Sequence, residues 1–236
     1  MSRRTDLPQL FMAIFSTLFV SGAAAQAGIV LDADDGASIS ADLYGAGRCG
    51  VVLAHGYRFD KGSWAPQAHA LRERGFRVIA IDFRGYGESK GAGEANPLQA
   101  PLHLDVLAAV SYLRENGVTD VSVIGASMGA EAAARASAHA DDGSIGHLVL
   151  LAGGVSVSAA QLKGRKLFAV AQGDLDPSGA PLLDKITQSY IAASEPKELL
   201  IVDGSAHAQA LFRTDRGAEL MSKIVSFLSD NESCDG

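Results

Sequence analysis

This sequence predicts an α/β domain organised on a mostly parallel sheet, and three observations carry the prediction. Short apolar runs without polar alternation, near residues 49–55, 76–83, 121–126, 147–151, 166–171 and 198–202, read as strands covered on both faces. Stretches of helical periodicity separate them, so strands and helices alternate along the chain. The run ending at Ala126 passes without a spacer into a helical pattern, through Gly125-Ala126-Ser127-Met128-Gly129. In a sheet of this kind the ligand crevice lies at the carboxyl ends of the strands.

Each element has its own reason. Residues 28–44 alternate apolar and polar around Asp34-Asp35-Gly36, the pattern of an edge hairpin. After the strand at 49–55, a loop at 55–62 leads into a helix through Trp64, Leu71 and Arg74 that Gly75 stops. Trp64 reads as a packing residue. The strand at 76–83 runs into Arg84-Gly85-Tyr86-Gly87-Glu88-Ser89, where Asp82 and Arg84 read as a strand-end brace. A helix over roughly 102–116 repeats Leu104, Leu107, Ala108 and Leu113 on one face. An alanine-rich helix follows Ser127 to about Ala140. Helices near 181–193 and 215–228 flank the last strand.

At 236 residues and 47% hydrophobic content, the chain suits one domain with a full core. A formal net charge of −7 argues against a nucleic-acid partner, which would need a basic face, and against attraction to anionic membrane. No pair of histidines has metal-ligand spacing, so neither a metal nor a cofactor is expected. The first residues are of a different character. Arg3 and Arg4 precede an apolar run at 10–20 and then Ser21-Gly22-Ala23-Ala24-Ala25-Gln26-Ala27. That is the order of a secretory signal peptide, with cleavage after Ala25 or Ala27. The expected layout is therefore a signal peptide over 1–27 and a single domain over 28–236, secreted or periplasmic, with no membrane insertion once the signal is removed.

Gly125-x-Ser127-x-Gly129 between a strand and a helix is a nucleophile-elbow pattern. Gly125 and Gly129 lack a Cβ, which lets strand and helix close around a strained serine whose hydroxyl stands clear of the sheet. Three further stretches lie at strand ends: His55-Gly56-Tyr57; Asp82-Phe83-Arg84-Gly85-Tyr86-Gly87-Glu88-Ser89; and, late in the chain, the turns Gly173-Asp174-Leu175-Asp176 and Gly204-Ser205-Ala206-His207. In that order the chain resembles the α/β-hydrolase family over essentially everything after the signal segment, compact serine esterases and dienelactone hydrolase-like proteins in particular.

The resemblance implies an α/β-hydrolase fold of about eight strands with helices on both faces. It also implies a Ser-His-Asp triad of Ser127, His207 and Asp176. Asp176 fits the family spacing better than Asp174, which lies nearer the strand end and reads as a turn cap. Backbone N–H groups of Tyr57 and Met128 would form the oxyanion hole, His55 would brace that loop, and Arg58 and Phe59 would line the pocket mouth. Only about a dozen residues separate the strands near 154 and 166, so no large lid fits there. The expected activity is hydrolysis of a small-molecule carboxylic ester, thioester or lactone through an acyl-enzyme. A small amidase or peptidase on the same triad and a noncatalytic binding protein of this fold are the alternatives. A serine in the elbow argues against epoxide hydrolase chemistry, which uses a carboxylate there. The fold also leaves a disulfide between Cys49 and Cys234, remote from Ser127, geometrically open.

Overall fold

The computed structural model describes residues 26–91 and 99–229. Of the signal segment expected over 1–27, all but Gln26 and Ala27 lie outside these residues, as does Cys234; Cys49 is disulfide-bonded. The described chain runs β1 (Ala27–Asp32), β2 (Ser38–Tyr44), β3 (Cys49–Ala54), α1 (Ala65–Glu73), β4 (Arg77–Ile81), α2 (Leu102–Glu115), β5 (Asp120–Ala126), α3 (Met128–His139), β6 (His147–Leu151), β7 (Arg165–Ala171), α4 (Leu182–Ala192), β8 (Lys197–Val202) and α5 (Gly217–Leu228). The eight strands form one sheet in the order β1-β2-β4-β3-β5-β6-β7-β8. β1 and β2 pair antiparallel, as do β2 and β4, and every later pairing is parallel.

The buried strands follow from their sequences. All six residues of β3 and all five of β6 are buried, because helices cover both faces of the sheet. α2 turns Leu102, Val106, Ala109, Val110 and Leu113 inward at helical spacing, and with α3 and α4 it closes one face. α1 and α5 close the other with Leu71, Leu220, Ile224 and Phe227. Burying each such large apolar side chain stabilises the fold by about 1.5–3 kcal/mol. Trp64 is fully buried with its ring edge-on to Phe212, a packing role.

The topology decides where a site can form. From β3 the chain steps outward to β4, then returns across β3 to β5. At that reversal the loops leaving β3 and β5 diverge and open a crevice. Ala54 pairs in register with Gly125, so the segments after β3 and β5 emerge side by side. The connection from β6 to β7 carries only a short 3₁₀ turn, Ala159–Gln161, and no inserted helical layer.

Candidate active site

Ser127 lies between the end of β5 and the start of α3 with φ 52° and ψ −112°. Its N–H bonds the Leu151 carbonyl at 2.8 Å, and its own carbonyl accepts from Ala130 and Glu131, which starts the helix. A side chain at Gly125 would collide with the Gly129 carbonyl, and one at Gly129 with the carbonyl of Ala54. Both glycines are therefore required by close approach. Among the described residues, the three non-glycine positions with positive φ are Ser127, Ala152 and Ala208. Two line one cavity and the third follows His207, so backbone strain of about 1–3 kcal/mol per residue collects in one place.

His207 sits in the loop after β8. Its Nε2 is 2.8 Å from Ser127 Oγ, and its Nδ1 is 2.8 Å from Asp174 Oδ2. A carboxylate can only accept, so the ring proton sits on Nδ1 and the Nε2 lone pair faces the serine hydroxyl, which donates to it. The Asp174 carboxylate is 2% exposed, whereas the His207 side chain is 44% exposed. Burial pushes the Asp174 carboxyl above the usual carboxylate range, and the His207 hydrogen bond pulls it back. The backbone of Asp174 is fixed by its N–H to the Ala171 carbonyl and by the Leu182 N–H to its own carbonyl.

The expectation that Asp176 partners the histidine is thereby corrected. Asp176 Oδ1 accepts from the N–H groups of Ser178 and Ala180 at 2.8 and 3.0 Å and from the Ser178 hydroxyl; Oδ2 pairs with Lys185. Those partners, Lys185 first, hold its carboxyl well below the usual range and turn it into its own loop.

The loop after β3 is organised by His55, which is fully buried. Its Nε2 accepts from the Phe83 N–H at 3.2 Å, so the proton lies on Nδ1, which donates to the Gly56 carbonyl at 2.8 Å. Burial lowers the His55 pKa and keeps the ring neutral. In a trans peptide C=O and the next N–H point in opposite directions. Holding the Gly56 carbonyl against His55 and the Phe59 N–H therefore aims the Tyr57 N–H the other way. Met128 N–H stands in the first turn of α3, where helical donors have no carbonyl one turn back.

Gln209 was not anticipated. It is buried just after His207; its Oε1 accepts from the Gly56 N–H at 2.9 Å, and its Nε2 donates to Ser63 Oγ at 2.7 Å. One amide thus ties the histidine loop to the loop after β3. Arg58 and Phe59, expected at the pocket mouth, do not line the cavity: Arg58 is exposed, and Phe59 packs beside Gly56 and helps fold the loop. Asp82 and Arg84 do brace the strand end, but not with each other. Asp82 accepts from the Lys61 N–H and ammonium, while Arg84 reaches Asp105 and Asp35.

A cavity of about 490 Å³ opens beside Ser127 and His207, within the range of small-molecule sites. Met128, Ala132, Ala152, Val155 and Leu182 give it apolar walls. Away from Ser127 and His207 its polar residues are His103, Glu131, Arg135, Ser156 and Asp176, of which the sequence singles out Asp176 alone. Positions 127, 131 and 135 share one helical stripe, which periodicity could have revealed. Among the described residues, no group of three or more His, Cys, Asp or Glu side chains is arranged to hold a metal, and no helix is long and apolar enough to cross a membrane.

Comparison with known proteins agrees with this fold. A sequence profile describing the alpha/beta hydrolase fold matches residues 51–231. The chain is similar to a non-heme haloperoxidase of Rhodococcus erythropolis, 34% identical over 119 residues, 50% of this chain and 42% of that protein. It is also similar to bifunctional epoxide hydrolase 2 of Sus scrofa, 38% identical over 77 residues, 32% of this chain and 13% of that protein. The matches thus span less than half the length of either relative. In three dimensions it resembles an esterase of Pyrococcus furiosus with a TM-score of 0.73, covering 86% of this chain and 91% of that one at 17% identity, a likeness of fold.

Proposed function

The chain belongs to the α/β-hydrolase family, and from that premise we propose that it cleaves carboxylic esters through an acyl-enzyme formed on Ser127. The observation that supports this reading is the unbroken Asp174–His207–Ser127 chain, with both links at 2.8 Å, ending on a serine in strained backbone beside a cavity. A serine hydroxyl is a weak nucleophile at its ordinary pKa and needs a base at hydrogen-bond distance.

In the first step Ser127 Oγ bonds to the ester carbonyl carbon while its proton passes to His207 Nε2. Asp174 holds the ring tautomer and stabilises the imidazolium. The carbonyl oxygen, now negative, takes hydrogen bonds from the backbone N–H groups of Tyr57 and Met128; removing one such donor typically costs about 3 kcal/mol. Collapse expels the alkoxide, which leaves as the alcohol with the proton from Nε2. Water then attacks the acyl-serine, giving its proton to Nε2, and release of the acid restores Ser127. Thioesters and lactones offer the same carbonyl to the same groups. Epoxide opening of the kind that builds an ester on an enzyme carboxylate has no carboxylate at position 127 to use.

We also infer export. Strand β1 begins at Ala27, paired with Leu43, and the Gln26 side chain bonds Asp42 at 3.0 Å. Cleavage after Ala25 keeps those contacts, whereas cleavage after Ala27 removes them. Amino-terminal sequencing of protein from the extracellular or periplasmic fraction tests this; an unprocessed Met1 overturns it.

The test of the chemistry is labelling with a fluorophosphonate, followed by peptide mapping and hydrolysis of 4-nitrophenyl acetate. Adduct on Ser127, with both labelling and turnover lost in Ser127→Ala, is the expected result. A folded protein that neither labels nor turns over the ester overturns the proposal.

A further inference from the structure

We propose that Arg135 and His103 form an anion subsite in the cavity beside Ser127, and that the enzyme selects esters bearing a second, carboxylate group. The inference rests on the ester-hydrolase reading and names its substrate class.

Two carboxylates and one guanidinium line the cavity away from Ser127 and His207. Glu131 is committed elsewhere: Oε2 accepts from the Ser156 N–H at 2.7 Å and Oε1 from the Ser156 hydroxyl. Asp176 is committed to Ser178, Ala180 and Lys185. Arg135 lines the same space, half-buried, and its guanidinium has neither a hydrogen bond nor an ion pair among the described residues. A guanidinium presents a rigid fork of donors that matches a carboxylate, and a bidentate pair is stronger than a neutral hydrogen bond.

His103 faces the same cavity from α2, and its Nδ1 is buried with no partner among the described residues. Burial, and then the charge of Arg135, push its pKa down to about 4, so the ring is neutral and has one N–H to offer an incoming oxygen. A buried nitrogen without a partner costs free energy that an accepting oxygen would recover.

Reach sets the substrate's shape. Arg135 lies eight residues beyond Ser127 along α3, about 12 Å of helix rise. Helical side chains lean toward the N-terminus, which brings the guanidinium back toward the serine. The anionic end therefore stands several bonds from the scissile carbonyl, across the apolar walls.

The experiment compares kcat/KM for 4-nitrophenyl hydrogen adipate and 4-nitrophenyl hexanoate, which share a six-carbon acyl arm and differ in the terminal carboxylate. Hexyl acetate and 6-acetoxyhexanoate make the same comparison on the alcohol arm. In one arm, wild type should favour the anionic ester, and Arg135→Met should lower its kcat/KM roughly tenfold to a hundredfold while changing the neutral ester by under threefold. Arg135→Lys should restore part of the preference, and added salt should shrink it. Inhibition of 4-nitrophenyl acetate hydrolysis by adipate, relieved by salt, gives the same readout on wild type if Arg135→Met fails to fold. Equal handling of both esters in both arms, or a ratio unchanged in a folded Arg135→Met, overturns the subsite while leaving the hydrolase standing. Failure to turn over the neutral esters as well overturns both.

Discussion

Two places among the described residues hold a serine, a histidine and an aspartate in company. At the carboxyl end of the sheet, Ser127 and Asp174 approach different nitrogens of His207, each at 2.8 Å. At the amino end of β5 and β6, Ser122 and Asp120 approach the same nitrogen of His147, at 3.4 and 4.0 Å. Ser122 and Asp120 thus approach one side of the ring together, whereas Ser127 and Asp174 approach opposite sides of theirs. Ser122 is also locked in a regular strand and His147 is 2% exposed, whereas Ser127 stands on a positive-φ turn and His207 meets solvent. The same three residue types thus form the proposed relay at one end and packing at the other. What differs is which nitrogen each partner reaches and whether substrate can arrive.

Substitutions can break or sharpen that contrast. The largest effect is expected at the serines: Ser127→Ala should lower kcat for 4-nitrophenyl acetate by about 10⁴-fold or more, and Ser122→Ala by less than about twofold. Comparable losses from both would erase the distinction. Next come the acids. Asp174→Asn should cost about 10²–10⁴ in kcat by fixing the wrong His207 tautomer, and Asp176→Asn much less; the reverse ranking would return Asp176 to the triad. Gln209→Leu leaves the buried Gly56 N–H without its acceptor, so a stability loss of about 1–3 kcal/mol should accompany a lower kcat at unchanged pH profile. His147→Ala should cost a similar amount of stability, since its ring packs edge-on to Phe227 at 5.4 Å, with turnover per folded molecule intact.

The smallest effect is on β8, at the end away from His207. There Glu198 accepts from Lys223 and from Arg165, and Lys223 first of all holds its carboxyl below the usual 4.5. A depressed folded pKa means stability gained above 4.5 and lost as the pH falls through the lower folded value. Glu198→Gln should therefore cost at most about 1 kcal/mol at neutral pH, as exposed pairs do. The gap between variant and wild type in urea melts should close in acid.

Much of this was legible in the sequence. Unalternating apolar runs gave the strands because helices cover both faces, and the glycines flanking Ser127 gave the elbow because only they fit against Ala54 and Ala130. His207 was legible by its place after the last strand. Asp174 was misjudged because spacing favoured Asp176, while the outcome was set by local bonds: Asp176 folds back on Ser178 and Lys185, and Asp174 ends up beneath the imidazole. Gln209 had no local signature at all, since its partner Gly56 lies 153 positions away. Arg58 and Phe59 follow the oxyanion loop in sequence, but Arg58 is exposed and Phe59 packs beside Gly56, so neither lines the cavity.

The Gln209 bridge also bears on the order of events during folding. Ser127 and His207 lie 80 positions apart, and the same late segment that brings His207 also anchors the loop carrying Tyr57. A chain whose first five strands have already paired would own a serine but neither its base nor a fixed oxyanion loop. Hydrolytic competence is then a clock for the docking of β7, β8 and the turn after them, separate from the regain of helix. In refolding, ester turnover should lag behind circular dichroism by the time that last third needs to seat.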